Sequence, residues 1–230
     1  MQQTTLNNSV MMPLQGYGVF QITEEAVCKA SVKAALAAGY RLIDTAACYG
    51  NERAVGSAIR ESGVPRKDIF ISSKVWIQDA SYEKTNASFA KTLENLGTDY
   101  LDLYLIHMPY GDYHGTWHAM EELYKAGKIR AIGVCNFLPD RLLDLILTHD
   151  VIPAVNQMET HPFCQKKTPR SHGAPRHPPD GMGPLRERTV RHLPSPDARR
   201  HWKTVRQDAC ASHSPLALAR KHHRHPEIRS

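Results

Sequence analysis

The stretch that decides the fold is TEEAVCKASVKAALAAGYRLIDTAACYGNERAVGSAIRESG, residues 23–63. Val27, Ala30, Ala34 and Ala38 recur at helical spacing, and Gly39 stands where a left-handed residue would stop the helix. Thr23 is placed to cap the helix start, with Glu24 and Glu25 favourable to the positive end of the helix dipole. Arg41–Thr45 reads as a short strand, and Asn51–Glu61 as a second helix ending at Ser62-Gly63. A strand held between two helices is the repeating piece of a parallel sheet.

The alternation continues in both directions. Leu14–Phe20 reads as the strand before the first helix, and Leu6–Met11, turning at Asn7-Asn8, as a small hairpin before it. Downstream come a strand at Ile69–Val75, a helix capped by Ser81 and stopped at Gly97, and a strand at Leu101–Ile106. A helix over Thr116–Ala126 stops at Gly127. Then follow a strand at Arg130–Cys135, a helix at Pro139–His149 and a strand at Pro153–Met158. Six strands with five intervening helices predict a parallel sheet with helical crossovers, either doubly wound or a (β/α)8 barrel. Both collect their chemistry beyond the C-terminal ends of the strands.

Polar residues fall at those ends. Asp44 closes the second strand and Tyr49 follows in its loop. Lys74 closes the third, and His107 follows the fourth. Asn136 follows the fifth, with Gln157 and Glu159 at the sixth. Each alone has an ordinary structural explanation, such as a cap, an ion pair or a satisfied core histidine. Their convergence on one rim does not. A phenol is a poor acid at neutral pH, and a nearby ammonium favours its ionised form. A carboxylate holds that ammonium charged and in place. A phenol tuned in this way protonates an alkoxide as it forms, while a neutral imidazole orients and polarises a carbonyl. The set suits carbonyl reduction by a hydride from a nicotinamide cofactor. Gly16-Tyr17-Gly18 is too short for the glycine-rich turn of a Rossmann site.

Residues 39–46, GYRLIDTA, followed by Tyr49-Gly50-Asn51-Glu52, resemble the first signature of the aldo-keto reductases. Met120 and the run Lys128–Phe137, KIRAIGVCNF, resemble their second. The likeness covers about residues 4–165 and is nearest to bacterial 2,5-diketogluconate and glyoxal/methylglyoxal reductases. It implies a (β/α)8 TIM barrel that takes NADPH without a Rossmann fold. It implies Tyr49 as proton donor, tuned by Lys74 and Asp44, with His107 orienting the carbonyl. Cys135, Asn136 and Gln157 are implied to hold the nicotinamide carboxamide. Phe20 and Trp76, with His107, are implied to line the substrate pocket. Met108 stands where many members have tryptophan, a change expected to affect packing rather than chemistry. The implied partner is a small-molecule carbonyl, an α-oxoaldehyde or keto sugar, with no metal, nucleic acid or membrane, and the implied state is a cytoplasmic monomer.

Composition divides the chain. Of 230 residues, 41% are hydrophobic and 23% charged, with a formal charge of +6. Residues 1–165 hold 14 Lys and Arg against 18 Asp and Glu, whereas 166–230 hold 15 against 5. The second segment also has 9 of the 15 prolines and 8 of the 13 histidines. The basic excess that would suggest nucleic acid therefore lies outside the enzyme-like part, in a segment without interleaved aromatics. Spacings such as Cys164…His172…His177 match no zinc finger. Five cysteines do not form a disulfide framework, no apolar run would span a membrane, and the polar start MQQTTLNNSV lacks a signal peptide's pattern. All three point to the cytoplasm.

Residues 166–230 show no strand-like run, so six strands are expected and the barrel's last two are absent. Proline and charge with little apolar content predict disorder there. The codons allowed for this segment, read one base later, carry a different message. Met182 is ATG before a glycine codon beginning with G, so the shifted frame must contain tryptophan, and its neighbours permit AWGPFA. Trp202 must become glycine, and 201–216 permits IGKQYGKTPAQVILRW; residues 222–229 permit IIVIPKSV. These resemble, in order, the family's seventh strand, a following helix and its phosphate-binding segment. The segment thus reads as the family's C-terminal part out of frame, with the shift near Phe163–Thr168. An active reductase and an inactive out-of-frame product both remain open, with a basic-tail nucleic-acid binder far behind.

Overall fold

A computed structural model describes residues 2–161 and, as backbone, the strand Arg188–His192. The chain divides into units of residues 1–193 and 194–230, the second of which lies outside the described residues. Two short antiparallel strands come first, β1 (Gln3–Thr5) and β2 (Met11–Pro13). The sheet follows as β3 (Gly16–Gly18), β4 (Leu42–Asp44), β5 (Phe70–Val75), β6 (Leu101–Ile106), β7 (Ile129–Cys135) and β8 (Val155–Glu159). These six strands pair in parallel in chain order. Between them run α1 (Glu25–Ala37), α2 (Glu52–Glu61), α3 (Tyr82–Leu96), α4 (Tyr113–Lys125) and α5 (Pro139–Thr148). The architecture among the described residues is six successive strands of the (β/α)8 barrel with the five helices that connect them.

Strand alternation separates two cores. Ile43, Ile71, Tyr104, Ile106, Ile132 and Val134 point outward to the helices, whose buried faces include Val32, Val55, Phe89, Trp117 and Leu145. Leu42, Phe70, Leu103, Leu105, Ala131, Cys135 and Val155 form the other face, joined by Leu6 and Met12 of the N-terminal hairpin. Both faces are buried, as a parallel sheet with helical crossovers requires. Gly133 is needed on the inner face. A Cβ there would stand 2.6 Å from the Val155 carbonyl oxygen and 2.8 Å from a Leu105 methyl.

Two helix starts differ from the sequence expectation. α1 begins at Glu25, with Glu24 rather than Thr23 at the cap and no side-chain cap hydrogen bond. The preceding loop is held elsewhere, because Asn51 Nδ2 donates to the carbonyls of Val19 and Ile22, each at 3.0 Å. α4 begins three residues before Thr116, because Asp112 caps it by accepting from the Gly115 N–H at 2.8 Å. Ser81 caps α3 as expected, and Gly97 ends it at φ 65°.

β9 (Arg188–His192) is a departure of topology. It pairs antiparallel with β8, Val155 opposite His192 and Glu159 opposite Arg188, in a segment from which the sequence predicted no strand. An uncovered strand edge is a template for any extended chain, and Thr189-Val190 gives this segment β-branched residues at its centre. The rest of the expected tail, its predicted disorder, Cys164 and the shift point near Phe163–Thr168 lie outside the described residues.

Buried polar groups brace the helical layer. Asp102, fully buried on β6, accepts from the Ile71 N–H (2.9 Å), Arg66 (2.8 Å) and Arg130 (2.7 Å). Glu121 on α4 accepts from the Val151 N–H at 2.6 Å and faces His149 at 3.4 Å. Burial pushes the Glu121 carboxyl up, but the His149 and Val151 hydrogen bonds outweigh it and leave the group below the usual carboxylate range.

Candidate active site

The inward positions of the strands lose their apolar character toward the C-terminal ends. On β4, Leu42 gives way to Asp44; on β5, Phe70 gives way to Ser72 and Lys74; on β8, Val155 gives way to Gln157. Period-two alternation therefore brings Asp44, Lys74, Cys135 and Gln157 to one inner face at one end of the sheet.

Lys74 is fully buried. Its Nζ donates to Asp44 Oδ1 and to the Thr45 carbonyl, each at 2.7 Å. A buried ammonium persists only when paired and hydrogen-bonded, and these two oxygens meet that need. Gln157 Nε2 donates to the same Asp44 oxygen at 3.4 Å. Asp44 thus joins the second and sixth strands of the parallel sheet through side chains that are 113 residues apart in the chain.

Tyr49 arrives from the loop after β4. A single 3-10 turn, Ala47–Tyr49, is closed by Gly50 in the left-handed region at φ 68°. Thr45 Oγ1 donates to Asn51 Oδ1 at 2.8 Å, and Asn51 ties that loop to the one after β3. Glu52, also buried, accepts from Ser73 on β5 at 2.7 Å and anchors the start of α2. The result sets the Tyr49 ring centroid 5.3 Å from the Lys74 ammonium.

His107 follows β6 and is buried. Its ring meets Tyr49 edge-on, with centroids 5.7 Å apart, and Trp76 likewise at 4.9 Å. Phe20 packs on the other side of Tyr49 at 5.0 Å and is half exposed. Phe20, Tyr49, His107 and Trp76 therefore form a continuous aromatic row at the rim. Such a row offers an apolar wall with two polar tips.

The remaining candidates gather beside the Asp44–Lys74 pair. Cys135 Sγ donates to Gln157 Oε1 at 3.5 Å. Asn136 takes a left-handed backbone at φ 62°, and its N–H donates to the Gln157 carbonyl at 3.0 Å. Its side-chain amide reaches the His107 carbonyl at 3.1 Å and the Met108 sulfur at 3.3 Å. Met108 therefore contributes a packing and weak-acceptor contact on the side of Asn136.

The sequence missed three contributors. The Thr45 carbonyl completes the lysine's partners, Asn51 braces the tyrosine loop, and Cys48 Sγ approaches His107 Nδ1 at 3.5 Å. A backbone acceptor carries no residue-type signal. Asn51 looked like a helix start, and Cys48 looked like any loop residue. Among the described residues, no group of three or more His, Cys, Asp or Glu is placed to hold a metal ion, and no helix is long and apolar enough to cross a membrane.

Residues 14–173 match the aldo/keto reductase family. The chain is 53% identical over 168 residues to glyoxal reductase of Bacillus subtilis, covering 73% of this chain and 61% of that one. It is 50% identical over 167 residues to the 9,11-endoperoxide prostaglandin H2 reductase of Trypanosoma cruzi, covering 72% and 59%. It therefore spans about three fifths of the length of these relatives. Among solved structures, an aldo/keto reductase from Brucella melitensis superposes with a TM-score of 0.70 at 45% identity, over 72% of this chain and 65% of that one. A Bombyx mori aldo-keto reductase in complex with NADP superposes with a TM-score of 0.66 at 31% identity, over 69% and 58%.

Proposed function

The chain belongs to the aldo/keto reductase family, and from that premise we propose that its site reduces small aldehydes and ketones, α-oxoaldehydes first, with NADPH. The observation that carries the proposal is the buried Asp44–Lys74 pair, with its ammonium 5.3 Å from the Tyr49 ring. Lys74 is fully buried, yet its side-chain nitrogen is held beside one phenol ring. The Bacillus subtilis relative named a glyoxal reductase supports the substrate class.

In this reading His107 donates a hydrogen bond to the carbonyl oxygen and polarises it. Tyr49 holds the proton that the oxygen takes as negative charge develops. Lys74 favours the phenolate left behind, and Asp44 keeps Lys74 charged and oriented. Phe20 and Trp76 give the carbonyl side an apolar wall. The nicotinamide supplies the hydride when bound. The donor set fits its carboxamide: Asn136 and Gln157 present neutral amides beside Cys135, complementary to a group that both donates and accepts. The enzyme is taken to be a cytoplasmic monomer that needs no metal.

The direct test is NADPH oxidation with methylglyoxal by the purified chain and by Tyr49→Phe. We expect turnover in the first and its loss in the second, with NADPH binding nearly unchanged by fluorescence. Turnover undiminished in Tyr49→Phe would remove Tyr49 as the acid.

A second reading is that this polypeptide is an out-of-frame product without activity. The identity to the two relatives quoted spans only 72–73% of the chain. Codons allowed for residues 222–229 permit a segment resembling the family's phosphate-binding one only when they are read one base later. Absence of turnover in a folded chain, with turnover after a one-base correction, distinguishes this reading from the first.

A further inference from the structure

The mechanism above requires His107 to donate from the nitrogen that faces the carbonyl, and nothing in it says what fixes that proton. A neutral imidazole has one donor and one acceptor nitrogen, and the partner of one sets the role of the other. On the Nδ1 side lies Cys48, with its Sγ 3.5 Å away. We propose that Cys48 is a positioning residue, its thiol donating to His107 Nδ1 and so keeping the proton on Nε2.

Two features of the fold support the assignment. The ring makes edge-type contacts with both Tyr49 and Trp76, so a flip that exchanges its nitrogens must move against two aromatic neighbours. Cys48 and Tyr49 are consecutive residues of one 3-10 turn closed by Gly50. One rigid turn therefore delivers the phenol and also sets the tautomer of the imidazole. The two groups that act on the same carbonyl oxygen are coupled through the backbone of residues 47–50.

The inference rests on the reading of His107 as the carbonyl-orienting group, so its test must not depend on turnover. The probe is the full chain labelled with nitrogen-15 in its histidine rings, observed by long-range proton–nitrogen correlation near neutral pH. His107 is assigned by the signal lost in His107→Gln. We expect a single Nε2–H tautomer in the native chain, a measurable Nδ1–H population in Cys48→Ala, and recovery of the Nε2–H form in Cys48→Ser, whose hydroxyl also donates. An Nδ1–H tautomer or a doubly protonated ring in the native chain overturns the proposal, and that spectrum decides even if a variant does not fold. An unchanged His107 spectrum in a folded Cys48→Ala overturns it too.

Kinetics give the second readout. Loss of a neutral hydrogen bond to the orienting group predicts kcat lower by about three- to tenfold in Cys48→Ala, with KM little changed and partial rescue in Cys48→Ser. If the native spectrum and its variants behave as expected while no carbonyl is reduced, the tautomer assignment stands and the functional reading falls. If turnover is present and the spectra of native chain and Cys48→Ala coincide, the reverse holds.

Discussion

Asp44→Asn isolates the charge of the buried pair without changing its shape. The asparagine keeps an oxygen near Lys74 Nζ, now 2.7 Å from Asp44 Oδ1, and the Thr45 carbonyl also remains at 2.7 Å. What disappears is the compensating charge. At 2.7 Å, the Coulomb attraction is about 6 kcal/mol for an effective dielectric of about 20. Burial of the two ions offsets most of it, so the intact pair contributes little net stability. A single neutralised partner leaves an uncompensated ammonium on a side chain with no exposure, at a cost of about 3 kcal/mol. With a urea slope of about 2 kcal/mol/M, the unfolding midpoint falls by about 1.5 M. Lys74→Met in the Asp44→Asn background removes the stranded charge and should recover about half of that loss. Urea titration of the native chain, of Asp44→Asn, of Lys74→Met and of the double variant, followed by tryptophan fluorescence, measures the cycle. A midpoint lowered by less than about 0.3 M in Asp44→Asn refutes the claim that the ammonium depends on Asp44. Strictly additive losses in the double variant refute the coupling itself.

Other parts of the molecule give further checks. Glu121 is held below the usual carboxylate range, so it contributes stability above its unfolded value near 4.5 that is lost as pH falls toward the lower folded value. Glu121→Gln should flatten the fall in melting temperature as pH drops below about 5, and an unchanged slope there would show that Glu121 is not the group responsible. Asp102→Ala strands the Ile71 N–H and takes from Arg66 and Arg130 the carboxylate they share, at about 2–4 kcal/mol by denaturant titration. Losses below about 1 kcal/mol would mean that water replaces the carboxylate. Sequencing the DNA across residues 163–168 together with intact mass tests the shifted frame. No single-base change restoring the three segments would dispose of it.

How much of this was legible in the chain depended on how local each cause is. Elements with their own punctuation matched closely. Ser81 and Gly97 bound α3, and Leu101–Ile106 appears as a strand over the residues the apolar run predicts. One end that moved was set by a distant partner: Asn51 holds the loop before α1. Asp112 shifted α4 by a local cap that the apolar periodicity concealed. Strand β9 was illegible because RTVRH has no apolar face of its own, and only the edge of β8 gives it a place. At the candidate site, the residue types at strand ends were readable, since alternation from Leu42 to Asp44 and from Phe70 to Lys74 is a local pattern.

The sequence by itself determined the order of strands and helices, the family, and the division between a mildly acidic enzyme-like part and a basic segment that does not resemble it. These follow from periodicity, punctuation and charge, which are properties of neighbours along the chain. Tertiary structure alone decided that Asp44 accepts from both Lys74 and Gln157, that Thr45 lends its carbonyl, and that Cys48 meets His107. These contacts join residues from 29 to 113 positions apart, with Cys48 and His107 59 positions apart, and a backbone oxygen or thiol announces no partner until parallel pairing sets the strand ends side by side.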